Sequence, residues 1–303
     1  MNCEFDYHSC NFCPRNCRVN RYEKQGYCKS PAVITAARAA LHLWEEPCIS
    51  GTRGSGTVFF SGCTLRCCYC QNYKISCEGF GKPLTVKELA EIFINLQKQG
   101  AHNINLVTAT QYLPSVIEAL RFVRETLTIP VVYNCGGYET VETVKALAPY
   151  IDIWLPDLKY CDTTLSSRYS DAPDYFEKAK EAILQMIRQT GKPVLEQRGG
   201  GNLMKKGVIL RHMVLPGQKE DSIRLMHWIA DSLPKGQFFI SLLSQYTPFY
   251  NSGSHPEINR RVTTYEYEKV VDAAVSLGIT EGFMQEKSSA KEEYTPPFDL
   301  EGL

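Results

Sequence analysis

CTLRCCYC, Cys63–Cys70, packs four cysteines into eight residues, directly after TVFF (57–60) and a Ser-Gly pair. TVFF is apolar and β-branched or aromatic, which predicts a short buried strand with the cysteines on the loop behind it. The residues that follow decide the fold. TVKELAEIFINLQKQG (85–100) places Val86, Leu89, Ile92, Phe93 and Leu96 at helical spacing, with Thr85 as N-cap and Gly100 as stop. The alternation then continues: NINLVT strand and PSVIEALRFVRET helix, PVVYN strand and ETVETVKALAP helix, IDIWLPD strand and DYFEKAKEAILQMIRQTG helix. PVLEQ and GVILRHMVLP read as strands on either side of RGGGN, DSIRLMHWIADSLP as a helix and QFFISLLSQ as a strand. Strand–helix units of this length build a parallel sheet with right-handed crossovers. Their number predicts an α/β fold, either a barrel, complete or partial, or a doubly wound sheet. In a parallel barrel the chemistry lies at the C-terminal ends of the strands, which is where CTLRCCYC falls.

The flanks have a different texture. Residues 1–50 are Cys-rich and irregular, with CNFCPRNC and GYC, and end in a helical patch around ITAARAALHLWEE (34–46). GTRGSG (51–56) precedes a strand rather than opening a helix, so it is no phosphate loop; it reads as a loop crossing near the barrel mouth. Beyond residue 246 come YTPFYNSGSHP, a helix at TYEYEKVVDAAVSLG and the tail YTPPFDLEGL. The expected organisation is a Cys-rich metal-binding module at 1–50, a barrel at 51–245 and a C-terminal extension at 246–303.

Composition narrows the function classes. The chain has 303 residues, 44% hydrophobic, with 33 Lys plus Arg against 33 Asp plus Glu. A zero formal charge gives no global attraction to nucleic acid or to an anionic membrane. MNCEFDYHSC lacks the basic start and apolar run of a signal peptide, and no segment approaches the ~20 apolar residues of a membrane span. The expected setting is the cytoplasm, where clustered cysteines serve as metal ligands or catalytic groups more often than as disulfides. The 13 cysteines are an odd number, and 11 of them lie in the first 77 residues. That distribution suits local sites better than a scaffold of disulfides.

Within the opening motif, Cys63, Cys67 and Cys70 have the spacing C-x3-C-x2-C. Three thiolates on a short loop suit three irons of a cubane cluster, with the fourth iron open to another ligand. A zinc loop recruiting Cys68 is the alternative, since structural zinc takes four ligands. With Tyr69 as the aromatic before the last cysteine, the motif is similar to that of the radical S-adenosylmethionine (SAM) enzymes. The resemblance implies a [4Fe-4S] cluster that binds SAM at its open iron. One-electron cleavage of SAM then gives methionine and a 5′-deoxyadenosyl radical, which abstracts hydrogen from a substrate. EEPCISGTRGSGTVFFSGCTLRCCYCQNYKIS, NINLVTATQYLPSVIEAL, PVVYNCGGYETVETVKAL, IDIWLPDLKY, VILRHMVLPG, SLLSQYTP and YTPPFDLEG extend the likeness over nearly the whole chain. Together they resemble an uncharacterised branch of pyruvate formate-lyase activating enzyme-like proteins, which implies a partial (β/α)6 TIM-type barrel.

The same resemblance assigns candidate SAM-site residues. Asn134 falls where activating enzymes carry a ribose-contacting Asp. Asp157, Leu158 and Lys159 match an Asp-Leu-Lys after a strand, and the ammonium suits the SAM carboxylate or ribose. The Gly-Gly-Glu of activating enzymes is replaced here by VTATQ, so Thr108, Thr110 and Gln111 offer hydrogen bonds but no carboxylate. Arg211 and His212 end a predicted strand and are candidates for SAM or substrate contact, with a core histidine as the alternative for His212. Gln245 and Tyr246 follow the last strand. A second site is expected at Cys10, Cys13, Cys17 and Cys28, which could hold zinc, rubredoxin-like iron or an auxiliary iron–sulfur cluster. The functions that follow are a radical SAM oxidoreductase, of activase type or acting on a peptide or small molecule with a reductase or flavodoxin-type electron donor, or a non-catalytic zinc-binding interaction protein.

Overall fold

The alternation folds into one large, mostly parallel sheet. The structure, a computed structural model, describes residues 5–198, 201–285 and 295–303. Its strands are β1 (Ile34–His42), β2 (Ser55–Phe60), β3 (Lys82–Leu84), β4 (Ile104–Val107), β5 (Val131–Cys135), β6 (Ile153–Pro156), β7 (Val194–Arg198), β8 (Gly201–Met213), β9 (Phe239–Leu243) and β10 (Gly282–Met284). The helices are α1 (Pro47–Ser50), α2 (Tyr73–Ser76), α3 (Val86–Lys98), α4 (Leu113–Phe122), α5 (Val141–Leu147), α6 (Thr163–Ser170), α7 (Tyr175–Thr190), α8 (Lys219–Ser232) and α9 (Thr264–Ser276). Strand order is β10-β9-β8-β6-β5-β4-β2-β1-β3. From β2 to β10 every neighbouring pair is parallel, whereas β1 pairs antiparallel with β2 and β3. The result is an open, partial barrel of six principal parallel strands with β10 as a short seventh.

Local chemistry explains the regular parts. Strands such as β2 and β6 are buried along their whole length, as expected for parallel strands covered on both faces. α3 begins with a full capping box: Thr85 accepts from the Glu88 amide, and the Glu88 carboxylate accepts from the Thr85 amide at 2.7 Å. Its Leu89, Ile92, Phe93 and Leu96 face the core. β8 serves twice. Its first half pairs antiparallel with β7, and its second half joins the parallel sheet between β6 and β9.

Two expectations are corrected. ITAARAALH is not helical but strand β1, paired with β2 from Ala36↔Phe60 to His42↔Ser55. Its alanines favour a helix in isolation, yet backbone pairing on both edges overrides propensity. The irregular Cys-rich stretch therefore ends near residue 33, and the rest of 1–50 belongs to the sheet or leads into it. GTRGSG lies before β2 and packs against His102 and Leu203, at the end of the barrel opposite the cysteines. The C-terminal tail returns to β1: Leu300 donates to the Ala37 carbonyl, Ala39 to the Glu301 carbonyl, and Arg38 pairs with Asp299 and Glu301.

Candidate active site

The C-terminal ends of the parallel strands surround a cavity of about 270 Å³. Each strand connection delivers a candidate. Cys63, Cys67, Tyr69 and Cys70 arrive on the loop after β2, Thr108 after β4, Asn134 on β5, Asp157 and Lys159 after β6, Arg211 on β8 and Gln245 after β9.

The cysteine loop is held from both sides. Arg66 and Cys68 donate their amides to the Ser170 and Tyr169 carbonyls at the end of α6. The Gln111 side-chain amide donates to the Ser61, Gly62 and Thr108 carbonyls, tying the loop after β4 to the loop after β2. Every thiol of the trio has a polar neighbour: Cys63 Sγ accepts from the Leu65 amide at 3.4 Å, Cys67 Sγ lies 3.0 Å from Ser170 Oγ, and Cys70 Sγ lies 3.2 Å from Ser76 Oγ. Burial pushes all three thiols up, with the Lys159 ammonium opposing at Cys67. Thiolates in this cavity need a compensating positive charge, which suits metal ligation. Among the described residues no three Cys, His, Asp or Glu side chains gather closely enough to hold a single metal ion. The trio shares a cavity instead, and three hydrogen-bonded sulfurs around an open space fit a multi-iron cage. Cys68 does not line that cavity.

A buried ionic group shares the cavity with the cysteines. Asp157 accepts from Lys159 Nζ at 2.6 Å and from Arg211 Nε at 2.9 Å. Burial pushes Asp157 up, but Arg211 and Lys159 outweigh it and hold the carboxyl below its ordinary value. Arg211 Nη2 donates to Asn134 Oδ1 at 2.6 Å, and Asp157 in turn holds the guanidinium charged. The chain matches the family model described as the Radical SAM superfamily over residues 57–229, the span that runs from β2 through α8 and carries the cysteines and this ionic group. The chain belongs to the radical SAM superfamily. Its cofactors are accordingly a [4Fe-4S] cluster and SAM, and Cys63, Cys67 and Cys70 fit the cluster.

The radical SAM chain is also similar to other known proteins. It is 30% identical over 278 residues to an uncharacterized protein of Methanocaldococcus jannaschii, covering 88% of this chain and 75% of that one. In fold it is similar to Streptococcus suis SuiB bound to precursor peptide SuiA, at 13% identity and TM-score 0.50, covering 74% of this chain and 46% of SuiB. SuiB bound to S-adenosylmethionine matches at 15% identity and TM-score 0.50, covering 76% and 47%. The chain thus spans about half the length of SuiB.

Several candidates lie outside the cavity. His212 points to the other face of β8, where Nδ1–H donates to the Leu158 carbonyl at 2.6 Å and Nε2 accepts from Ser222 Oγ at 2.9 Å. Burial pulls it down to about 4, so the structure makes it the neutral core histidine, one of the two readings. Strand alternation is the reason, since Arg211 and Met213 line the cavity and the residue between them cannot. Thr110 is buried and bonded to Glu139 Oε1 (2.6 Å) and Tyr133 OH (2.8 Å). Tyr246 is likewise buried, edge-on against Tyr69, with its hydroxyl on the Ile258 carbonyl. Cys10, Cys13, Cys17 and Cys28 lie apart, in a module bound to the cysteine loop: Arg15 Nε donates to the Thr64 carbonyl at 2.9 Å, and Arg66 donates to the Tyr27 carbonyl at 2.6 Å.

Among the lining residues not singled out from sequence are His42, Trp44 and Glu45. Glu45 Oε1 accepts from Asn105 and Asn134 at 3.1 Å each, and Oε2 accepts from Arg211 Nη1 at 3.2 Å. No spacing signal marks these residues; they reach the cavity because β1 turns back toward β2. Burial pulls His42 down to about 4, which keeps it neutral beside Phe59.

Proposed function

We propose that this radical SAM protein cleaves SAM reductively at a cluster held by Cys63, Cys67 and Cys70. It then removes hydrogen from a peptide, protein or small-molecule substrate bound in the same cavity. The observation that carries this is the convergence of the three thiols with Thr108, Asn134, Asp157, Lys159 and Arg211 on one cavity at the strand ends. When bound, the cluster and SAM supply a hydrogen-abstracting carbon radical in exchange for one electron.

The chain's own residues bind, orient and shield. Lys159 uses one donor on Asp157 and keeps others for a carboxylate or hydroxyl. Thr108 offers a neutral hydrogen bond where activating enzymes place a carboxylate. Asn134 is fixed by Arg211 and Glu45, so its amide is oriented before any ligand arrives. Phe59, Phe60, Leu65 and Tyr69 form the apolar wall that excludes water from a reactive radical.

The substrate favoured is a peptide or small group rather than a large glycyl radical enzyme. Trp44, Thr295 and Pro296 line the cavity in addition to the barrel residues, so segments outside the barrel take up part of its wall. SuiB, solved with a precursor peptide, supports a peptide as substrate class. The proposed electron source is a reductase or flavodoxin-type donor, in the cytoplasm, where thiolate ligands stay reduced. Cys10, Cys13, Cys17 and Cys28 form the proposed second metal site. Supporting it, the four lie in one module, Cys10 Sγ lies 3.9 Å from the Arg21 guanidinium, and Cys17 Sγ accepts from the Tyr27 amide at 3.4 Å.

The deciding test uses anaerobically reconstituted protein. Iron, sulfide and zinc are counted, then dithionite and SAM are added and 5′-deoxyadenosine is measured. Wild type should make it, and the Cys63→Ala, Cys67→Ala, Cys70→Ala variant should not. Any metal left in that variant belongs to the N-terminal cysteines. Wild type that holds only zinc and leaves SAM intact would replace this reading with a zinc-binding interaction protein.

A further inference from the structure

The three thiols of the cysteine loop are not held alike. Cys63 Sγ accepts from a backbone amide, that of Leu65. Cys70 Sγ faces Ser76 Oγ at 3.2 Å, but that hydroxyl also lies 3.5 Å from Cys77 Sγ, so its one proton is divided between two sulfurs. Cys67 heads a chain of hydroxyls. Ser170 Oγ lies 3.0 Å from its sulfur, Tyr160 OH 2.8 Å from Ser170 Oγ, and Tyr69 OH 2.5 Å from Tyr160 OH. Ser170, Tyr160 and Tyr69 are all buried, so bulk water does not compete for these bonds. Edge-on packing of Tyr69 against Tyr246 and of Tyr160 against Tyr175 fixes the two rings.

Iron ligation fixes the direction of the chain. A ligating Cys67 is a thiolate, which accepts hydrogen bonds and has no proton to donate. The Ser170 hydroxyl therefore donates to the sulfur. With its one proton spent, Ser170 Oγ accepts from Tyr160, and Tyr160 OH in turn accepts from Tyr69. Three hydroxyls supply three protons for three bonds, all directed at one sulfur. Hydrogen bonds aligned in this way polarise one another, and a low dielectric strengthens them. Hydrogen bonds to the sulfurs are among the factors that set a cluster's reduction potential, because they stabilise the form that carries the extra electron. The Lys159 ammonium acts on the same thiol, so positive charge gathers on the Cys67 side of the trio.

We propose that Tyr69, Tyr160 and Ser170 form a hydroxyl relay that donates to Cys67 and raises the reduction potential of the cluster, easing the one-electron step that SAM cleavage needs. The proposal rests on the radical SAM reading for its cluster. All three are positioning residues: Ser170 touches a cluster ligand, and Tyr160 and Tyr69 act through Ser170. The single electron comes from the reductase or flavodoxin-type donor. No proton leaves the relay; its hydroxyls only tighten their bonds as the sulfur becomes more negative. The Tyr69 ring also lines the cavity, so Tyr69→Phe keeps the wall and removes the hydroxyl.

Reconstituted holoenzyme without SAM is titrated with dithionite in the presence of redox mediators, and the reduced cluster is followed by electron paramagnetic resonance. The signal of the trio is the one that Cys67→Ala lacks. Ser170→Ala should lower the ratio of reduced to oxidised cluster at the wild-type midpoint at least tenfold, a shift of about 59 mV for one electron. Tyr160→Phe should lower it at least twofold, and Tyr69→Phe should move it the same way by less, both with iron content at the wild-type level. If Ser170→Ala binds no iron, the two Phe variants decide. A smaller or opposite shift in Ser170→Ala overturns the relay. A fall confined to Ser170→Ala, or Phe variants that lose iron without a change in potential, overturns it too. SAM is then added to the same preparations and 5′-deoxyadenosine is measured. Shifted potentials without 5′-deoxyadenosine support the relay while the radical reading fails. Cleavage with unshifted potentials sinks the relay alone, and wild type with no Cys67-dependent signal overturns both.

Discussion

Arg211→Met removes the guanidinium and retains most of the apolar bulk. In the native protein Arg211 contacts Asp157 and Glu45 as ion pairs and Asn134 by a hydrogen bond, with its side chain 15% exposed. Removing one partner of a buried ionic group costs about 3–5 kcal/mol, because the remaining charges stay buried without compensation. Lys159 remains beside Asp157, so Glu45 and Glu46 bear most of the loss. The pH dependence follows from the direction of their shifts. A carboxyl whose folded value is raised is fully tolerated below its unfolded value near 4, and the fold loses stability as pH climbs from there to the folded value. Removing Arg211 raises both values further. The penalty of Arg211→Met should therefore be largest near pH 8 and shrink toward pH 5.5, by about 1.4 kcal/mol per pH unit for each carboxyl that stays protonated. Urea midpoints of the reduced apo-protein, followed by tryptophan fluorescence with Trp154 on the adjacent β6, measure this at several pH values. A penalty below about 1 kcal/mol, or one equal at pH 5.5 and 8, would show that the guanidinium does not hold these carboxyls together.

Glu139 is a second titration probe. Burial pushes it up to about 8, Thr110 opposes weakly, and its Oε2 has no partner. Wild type should lose stability between pH 5 and pH 8, by up to about 1.4 kcal/mol per pH unit, and Glu139→Gln should flatten that slope; thermal unfolding at the two pH values reads the difference, and parallel slopes would contradict it. Gly62 couples the N-terminal module to the cysteine loop. It has φ +82°, and a Cβ there would lie 2.0 Å from Ser30 Oγ and 2.9 Å from the Cys28 carbonyl oxygen. Gly62→Ala should lower the iron bound per chain on reconstitution. Gly79→Ala, with φ +73° and nothing within 4 Å, should cost only about 1 kcal/mol of backbone strain and leave iron content unchanged. Equal iron in the two variants would mean that the module does not shape the loop.

Much of this protein is legible in the linear sequence because the signals are local. The helical spacing of Leu89, Ile92, Phe93 and Leu96, the Thr85 cap, the apolar runs of β2 and β5 and the C-x3-C-x2-C spacing each lie within one element and need no partner to be read. From them follow the α/β class, the order of the units and the loop that carries the cysteines. What the sequence cannot contain is which segments meet. ITAARAALH has the composition of a helix and becomes a strand because β2 and β3 offer it edges on both sides. Arg211 and His212 are adjacent in sequence, and only pairing in the sheet turns one toward the cavity and the other into the core. Glu45 and Arg211 are 166 residues apart, and no periodicity links them. Their contact, and with it this buried ionic group, exists only because the curvature of the open sheet brings β4, β5 and β8 around the segment that follows β1.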